Sequence, residues 1–291
     1  MIRLALRVDR AHAELALAEL LELAPSGVEE VDHGDEVEYA VYGPPGELPD
    51  LPDLEVAVGG VGGTLVSVTT TELPDDWSER WKDFHRPLVI GGTEGAPPRL
   101  AVRPPWEAPL GAATELVIDP AQAFGTGSHA TTRLCLELLL EVAEGDGGAV
   151  AEAGSAGERG PLVDVGCGSG VLAIAAAMLG WAPVVAVDYD RLSVDATRDN
   201  AQVNGVGLDV RQGDLRTEAM PTAPTVLANL LRPLLLEYCA ALTEPPRTLI
   251  ASGLLVHEAD EIAAAFAERH GLRETGRREL GEWAALLLSA P

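Results

Sequence analysis

Apolar and polar positions alternate with period two over residues 2–8. Over 11–24 the apolar positions Ala13, Leu17, Leu20, Leu21 and Ala24 recur instead at intervals near one helical turn. The first pattern predicts a strand and the second a helix, because side chains alternate across a strand and return to one helix face every three or four residues. Pro25, Ser26 and Gly27 end the helix, and Val28–Val31 and Val37–Val41 read as short strands joined by the turn His33-Gly34-Asp35. Residues 43–53 are proline-rich and form a weak helix candidate, and Thr64–Thr71, carrying Leu65, Val66 and Val68, reads as another strand. The order β-α-β-β-(weak α)-β predicts a small ferredoxin-like α+β domain over residues 1–73.

Residues 74–87 carry Trp77, Trp81, Phe84 and His85 at helical spacing, which predicts a short inter-domain helix, with His85 a polar cap on its face. Val89–Val102 holds two short apolar pieces around a Gly/Pro loop, Leu116–Asp119 reads as a strand, and a helix follows from Thr131 to about Ala143. Residues 144–161 are rich in Gly, Ala and Glu without periodicity, and read as a mobile surface insertion. Thereafter strands at 162–165, 184–187, 208–211, 225–228, 247–251 and 283–288 alternate with helices near 170–179, 191–204, 232–242 and 256–270. Such alternation predicts an α/β domain over 88–291 with a mainly parallel, Rossmann-like sheet covered by helices.

One stretch of that domain carries the chemistry. Asp164-Val165-Gly166-Cys167-Gly168-Ser169-Gly170 joins a buried strand to a helix with three glycines at alternate positions. Glycines there let the backbone approach a ligand, and the helix N-terminus offers free N–H groups. Asp188 ends the next strand 22 residues after Gly166, about where an acidic residue meets ribose hydroxyls in doubly wound folds. Gly166, Asp188 and Asn229 would all emerge at carboxyl ends of strands. A nicotinamide fingerprint can be laid on Gly168, Gly170 and Ala173, but the fuller pattern, an acid two residues before the first glycine, resembles the first motif of class I S-adenosylmethionine-dependent methyltransferases. That resemblance wraps the loop around the methionine part of the cofactor, with Asp164 near its ammonium group.

Composition narrows the partners. The net charge of −26 argues against direct binding of nucleic acid, because phosphate contacts need Lys and Arg. Residues 1–76 hold 17 Asp and Glu against Arg3, Arg7 and Arg10, a balance of −14, which either steers a basic protein partner or forms ordinary solvated faces. No apolar run approaches the ~20 residues of a membrane span, and the first residues lack a signal-peptide layout. Cys135, Cys167 and Cys239 are spaced for neither disulfides nor zinc and are expected inside elements; no metal site is expected. A cytoplasmic protein acting as a monomer is the expectation.

Several segments together resemble the ribosomal protein L11 methyltransferases, the PrmA family. They are Ile118-Asp119-Pro120 with Ala123–Thr132, the aromatic helix at 74–87, the glycine loop, Asp188-Tyr189-Asp190, Arg198-Asp199-Asn200-Ala201 with Asn204-Gly205, Ala228-Asn229-Leu230, and Ser252-Gly253-Leu254-Leu255. The resemblance covers residues 75–143 and 162–270 and implies S-adenosyl-L-methionine as cofactor and amines of ribosomal protein L11 as acceptors, captured by a small N-terminal domain. Cofactor contacts are implied at Thr132, Gly166, Gly168, Asp188, Asp214 and Asn229. Family members usually have proline at Ala130 and a small residue at Arg232; a cation there would repel a protonated lysine unless it points to solvent or pairs with a carboxylate.

Methyl transfer from a sulfonium is an in-line displacement that needs a neutral amine, whereas a lysine amine has a reference pKa of ~10.4. Asn229 and the backbone carbonyl of Leu230 are the catalytic candidates, as acceptors for the amine hydrogens. No side chain stands out as a general base; His129 is either that or a loop-ordering residue. Thr126 and Thr132 bond the cofactor or cap the helix that follows. The rival readings are a class I methyltransferase with another acceptor, a nicotinamide oxidoreductase, and a non-catalytic adenosylmethionine-binding protein.

Overall fold

The computed structural model describes residues 2–10, 29–43, 65–72, 86–92, 97–119, 129–145 and 159–291. The chain divides into two units, Met1–Phe84 and His85–Pro291. The first contains β1 (Ile2–Asp9), β2 (Glu29–Asp32), β3 (Glu36–Gly43) and β4 (Leu65–Glu72), in the order β2-β3-β1-β4 with every pairing antiparallel. The period-two pattern buries Leu4, Leu6 and Val8 on β1 against Val37, Tyr39 and Val41 on β3. The helices expected at 11–24 and 43–53, and the aromatic residues Trp77, Trp81, Phe84 and His85, lie outside the described residues.

The second unit begins with β5 (Leu88–Ile90), β6 (Leu100–Arg103) and β7 (Thr114–Val117), a small sheet of three strands. Then come α1 (Ala130–Gly145), β8 (Leu162–Val165), α2 (Val171–Met178), β9 (Val184–Asp188), α3 (Arg191–Val203), β10 (Asp209–Gln212), β11 (Thr225–Asn229), α4 (Arg232–Ala241), β12 (Thr248–Leu255), α5 (Ala259–His270), β13 (Arg273–Leu280) and β14 (Trp283–Ser289). The large sheet runs β10-β9-β8-β11-β12-β14-β13. Its first five strands pair in parallel, and β14 runs against both neighbours. The chain leaves β8 toward β9 and β10, then returns to the other side of β8 for β11 and β12. The reversal between β8 and β11 makes a topological switch point at their carboxyl ends, the place where such sheets bind ligands.

Alternation within these apolar strands divides the core in two. Leu162, Ala186, Leu227, Ile250 and Ala285 face a cluster that includes α1 and α2. Val163, Val165, Val226, Ala228, Leu249 and Ala251 face a cluster that includes α4 and α5. No helix among the described residues is long and apolar enough to cross a membrane.

Three expectations change. The segment 144–161 was expected to be a loose insertion throughout, but α1 runs on through Glu144 and Gly145 because Leu139, Leu140 and Ala143 continue its buried stripe. At the other end Arg159 is tied down, its Nε donating to Leu179 O at 2.8 Å and its guanidinium 5.3 Å from the Trp181 ring centre. Residues 146–158 lie outside the described residues. The strand β13, Arg-Glu-Thr-Gly-Arg-Arg-Glu-Leu, has no apolar alternation; it forms because β14 offers it an edge, and it is largely exposed. Cys135 and Cys239 sit within helices as expected, but Cys167 lies buried in the glycine loop.

Candidate cofactor and acceptor site

Strand register gathers the site. Val165 is paired with Val187 on one side and Ala228 on the other, so the next residues, Gly166, Asp188 and Asn229, stand at one level at the carboxyl ends of the strands. Asn229 is in turn paired with Ser252 of β12. Asp164, Asp188, Asn229 and Ser252 share the parity of Leu162, Ala186, Leu227 and Ile250, so they belong to the face covered by α1 and α2.

The glycine loop is held from three directions. Gly166 N and Cys167 N both donate to Val187 O, at 2.8 and 3.1 Å. Gly168 N donates to Asp188 Oδ2 at 2.9 Å, and Gly168 O accepts from Thr197 Oγ1 at 2.9 Å. Gly170, the N-cap of α2, has φ +82°, and a Cβ there would lie 2.8 Å from Thr197 Cγ2. A side chain would therefore both strain the backbone and strike α3. Asp188 uses its second oxygen to accept from Asp190 N at 3.0 Å, which starts α3 beside the loop. Burial pushes the Asp188 carboxyl above the usual carboxylate range, against the pull of these N–H donors.

The motif around Asn200 and Asn204, which sequence reasoning quoted without a role, proves to be a clip. Asn200 Nδ2 donates to Ser169 O at 2.9 Å while its Oδ1 accepts from Asp119 N at 3.0 Å. Asn204 both accepts from Val117 N and donates to Val117 O, at 2.8 and 2.7 Å. Two amides, one on α3 and one at its C-terminal cap, thus tie the helix to the glycine loop, to the end of β7 and to the segment that follows it. Their signal in the sequence was the four-residue spacing of two amides on one helix face.

Two buried polar atoms, Thr132 Oγ1 on α1 and Asp164 Oδ1 on β8, have no hydrogen-bond partner among the described residues. Buried hydroxyls and carboxylates are rarely left so. Thr132 takes no part in the cap of α1, which His129 makes instead: its Nδ1 accepts from Thr131 N at 3.3 Å and lies 2.8 Å from Thr131 Oγ1. The His129 ring stands edge-on to Trp283 at 4.8 Å, and burial lowers its basicity. These contacts place His129 at the start of α1, against Trp283. Thr126 lies outside the described residues, as do residues 120–128 around it.

On the acceptor side, Leu230 is buried and its N–H donates to Ser252 O at 3.0 Å. It is clasped by two glycines: a Cβ on Gly166 would lie 2.4 Å from Leu230 Cδ2, and one on Gly253 would lie 2.4 Å from Leu230 O. Gly253 has φ +84° and sits where the pairing of β12 with β14 slips by one residue. Arg232 is turned into a forked pair with Glu261 of α5, Nε to Oε2 at 2.6 Å and Nη2 to Oε1 at 2.7 Å. The cation that breaks the expected pattern is thereby matched by a carboxylate.

Asp214 follows β10, two residues beyond Gln212, the partner of Asp188, and its neighbour Gly213 donates its N–H to Asp188 O at 2.9 Å. Both Asp214 oxygens are forked by Arg216, Nε to Oδ1 at 2.9 Å and Nη2 to Oδ2 at 3.0 Å, and this cation holds the Asp214 carboxyl below the usual range.

The fold and the glycine loop therefore define a doubly wound α/β domain of the kind that holds a nucleoside-type ligand over its β8–β11 switch point. Comparison with known proteins is more specific. The family model "Ribosomal protein L11 methyltransferase (PrmA)" matches residues 54–290. A ribosomal protein L11 methyltransferase of Symbiobacterium thermophilum is 37% identical over 222 residues, covering 75% of this chain and 66% of that one. One from Pelotomaculum thermopropionicum is 39% identical over 225 residues, covering 75% and 67%. The crystal structure of a ribosomal protein L11 methylase from Lactobacillus delbrueckii subsp. bulgaricus superposes with a TM-score of 0.53 at 30% identity, over 66% of this chain and 95% of that one. The chain belongs to the ribosomal protein L11 methyltransferase (PrmA) family, and it aligns with about two thirds of the length of these curated relatives.

Proposed function

We propose that this chain is an S-adenosyl-L-methionine-dependent protein methyltransferase whose substrate is ribosomal protein L11. The observation that carries the reading is the convergence of Gly166, Asp188 and Asn229 at one level of the sheet, with Asp164 Oδ1 buried and unpartnered two residues before the glycine loop. The positive φ angles of Gly166, Gly168 and Gly170 leave a cradle without side chains, which fits close contact with the amino-acid part of the cofactor. Asp188 takes the ribose hydroxyls on lone pairs its backbone donors leave open, and Thr132 supplies a hydroxyl. Asp214, already forked by Arg216, plays at most a peripheral part. The cofactor, when bound, supplies the electrophilic methyl group.

The chain's own contribution on the acceptor side is placement. The Asn229 side-chain oxygen and the Leu230 carbonyl accept the hydrogens of the incoming amine and aim its lone pair, and Gly253 lets the Leu230 carbonyl lie where it does. Positioning of this kind supplies most of the acceleration in a displacement that needs no bond to the protein. Glu261 holds Arg232 in an ion pair, so its charge does not oppose a basic substrate. The four-stranded unit has the strand order of a ferredoxin-like domain, and we assign residues 1–73 to substrate capture, 74–87 to the junction and 88–291 to catalysis. A monomer working in the cytoplasm, without direct contact to nucleic acid or membrane, completes the reading.

The test is methyl transfer from labelled adenosylmethionine to purified ribosomal protein L11, read by mass spectrometry, with Asn229→Ala beside the wild type. Transfer by the wild type and its near loss in the variant are expected. A wild type that binds adenosylmethionine but methylates a different protein, and not this one, would overturn the substrate.

A further inference from the structure

Two consecutive residues of β12 hold Leu230 at both of its backbone polar groups. The Leu230 N–H donates to Ser252 O at 3.0 Å. The Leu230 carbonyl lies flush against Gly253, where a Cβ would stand 2.4 Å from the oxygen and 2.7 Å from the carbon. A shift of Ser252 and Gly253 therefore carries the Leu230 carbonyl with it.

These two residues stand at the irregular point of the strand. Ser252 pairs with Ala285 and Leu254 with Ala284, so Gly253 is the extra residue of a bulge. An extra residue has no ladder partner of its own to fix it, and bulges re-aim the groups beside them. One side chain spans this bulge. Ser252 Oγ donates to Ala284 O at 2.8 Å, which belongs to the residue opposite Leu254, on the far side of the slip. The same hydroxyl is in hydrogen-bond contact with the Cys135 thiol of α1. Ser252 is fully buried, and its buried neighbours on β12, Ile250, Ala251 and Leu254, are apolar. Burying a hydroxyl there costs desolvation that an alanine would not, and the bond across the bulge is what the chain gains for it.

Resting on the acceptor reading above, in which the Leu230 carbonyl receives a hydrogen of the amine, we infer that Ser252 is a positioning residue for methyl transfer: its hydroxyl locks the β12 bulge in the seating that aims the Leu230 carbonyl. The hydroxyl is spent on Ala284 and Cys135, so it reaches the reaction only through the backbone of Leu230, Ser252 and Gly253. Glycine permits the close approach, and serine fixes it. Loosening the bulge should slow transfer and leave cofactor binding alone, because the glycine loop has separate supports in Asp188 and Thr197.

The test compares the full-length wild type with Ser252→Ala, and with Ile250→Val, which thins the core beside the same strand without touching the bulge. Steady-state methyl transfer to purified ribosomal protein L11, calorimetric adenosylmethionine binding and Tm are measured for each, with kinetics run well below every Tm. In Ser252→Ala, kcat should fall about tenfold or more, since misplacement on the order of 1 Å costs up to about a hundredfold. KM for the protein and Kd for adenosylmethionine should stay where they are. Ile250→Val should lower Tm and keep its kcat. An unchanged kcat in Ser252→Ala overturns the inference, as does a loss explained by weaker adenosylmethionine binding or matched by Ile250→Val. Should Ser252→Ala fail to fold, Ser252→Cys takes its place, being close in size with a weaker donor; a lower kcat at unchanged Kd is expected, and a wild-type kcat overturns the inference. All of these leave the acceptor reading standing. A wild type that binds adenosylmethionine and transfers no methyl to an amine overturns that reading and this inference with it.

Discussion

Leu230 is clasped between Gly166 and Gly253, and the two contacts differ in kind. A Cβ on Gly253 would meet backbone: Leu230 O at 2.4 Å, C at 2.7 Å and N at 3.0 Å. No rotamer change relieves that. A Cβ on Gly166 would meet Leu230 Cδ2 at 2.4 Å, the far end of a side chain that can turn. Both glycines lie at positive φ, +84° and +77°, where a side chain costs roughly 1–2 kcal/mol. Overpacking adds about 1–3 kcal/mol where the neighbour must move. Gly253→Ala should therefore destabilise by roughly 2–5 kcal/mol, and Gly166→Ala by about 1–3. For a unit of this size that is a fall in Tm on the order of 10 °C for Gly253→Ala. A double-mutant cycle with Leu230→Ala separates the two cases. Truncating Leu230 removes the atom that Gly166→Ala strikes but none that Gly253→Ala strikes. Coupling of about 1 kcal/mol is expected for the 166–230 pair and about zero for the 253–230 pair. The assay is thermal and denaturant unfolding of the wild type, the three single variants and both doubles, with methyl transfer measured alongside. Equal rescue of both glycine variants by Leu230→Ala, or a Gly253→Ala variant within about 0.5 kcal/mol of wild type, would refute the assignment of that glycine to the Leu230 carbonyl.

Four further outcomes are expected. Asp188→Ala should weaken adenosylmethionine binding about tenfold or more, since it removes a charge-assisted acceptor worth roughly 1.5–3 kcal/mol, while Asp214→Ala should change calorimetric affinity much less. The Asp164 carboxyl is held up to about 7 in the folded chain against an ordinary 3.8, so the stability it contributes is full below about pH 4 and is lost as pH rises through 7. The loss amounts to up to about 4 kcal/mol, so Asp164→Asn should gain on the wild type in Tm between pH 4 and 8 with no cofactor present; parallel pH profiles would contradict this. Glu261→Gln should leave Tm unchanged but raise KM for the protein substrate, and Arg232→Ala in the same chain should restore it; no change in KM would show that Arg232 lies out of reach of the acceptor. If the acidity of residues 1–76 draws in a basic substrate, kcat/KM should fall from low to physiological salt, and neutralising Glu29, Glu30, Asp32, Asp35 and Glu36 should flatten that slope.

Much of the larger unit is legible in its sequence because its strands are short apolar runs and its helices carry clear stripes. β8, β9, β11 and α1–α5 fall close to where periodicity puts them, and the glycine loop between Asp164 and Val171 announces both a tight turn and a ligand. These features are local: one side-chain period, or one backbone angle that glycine alone takes readily, fixes each of them. β13 was not legible, since an exposed edge strand buries neither face and leaves no alternation. Nor was the fate of Arg232, whose meaning depends on Glu261, 29 residues away on another helix. The work of Asn200 and Asn204 was hidden for the same reason, because their partners Val117, Asp119 and Ser169 lie far along the chain. The sequence could name Asp164 as the acid of a motif, but only the tertiary structure sealed it from water, set one oxygen on α2 and left the other bare. Local pattern determines which segments become strand, turn or helix. What a carboxylate or a guanidinium then does depends on the charge and solvent around it, and those are supplied by residues that folding brings from elsewhere.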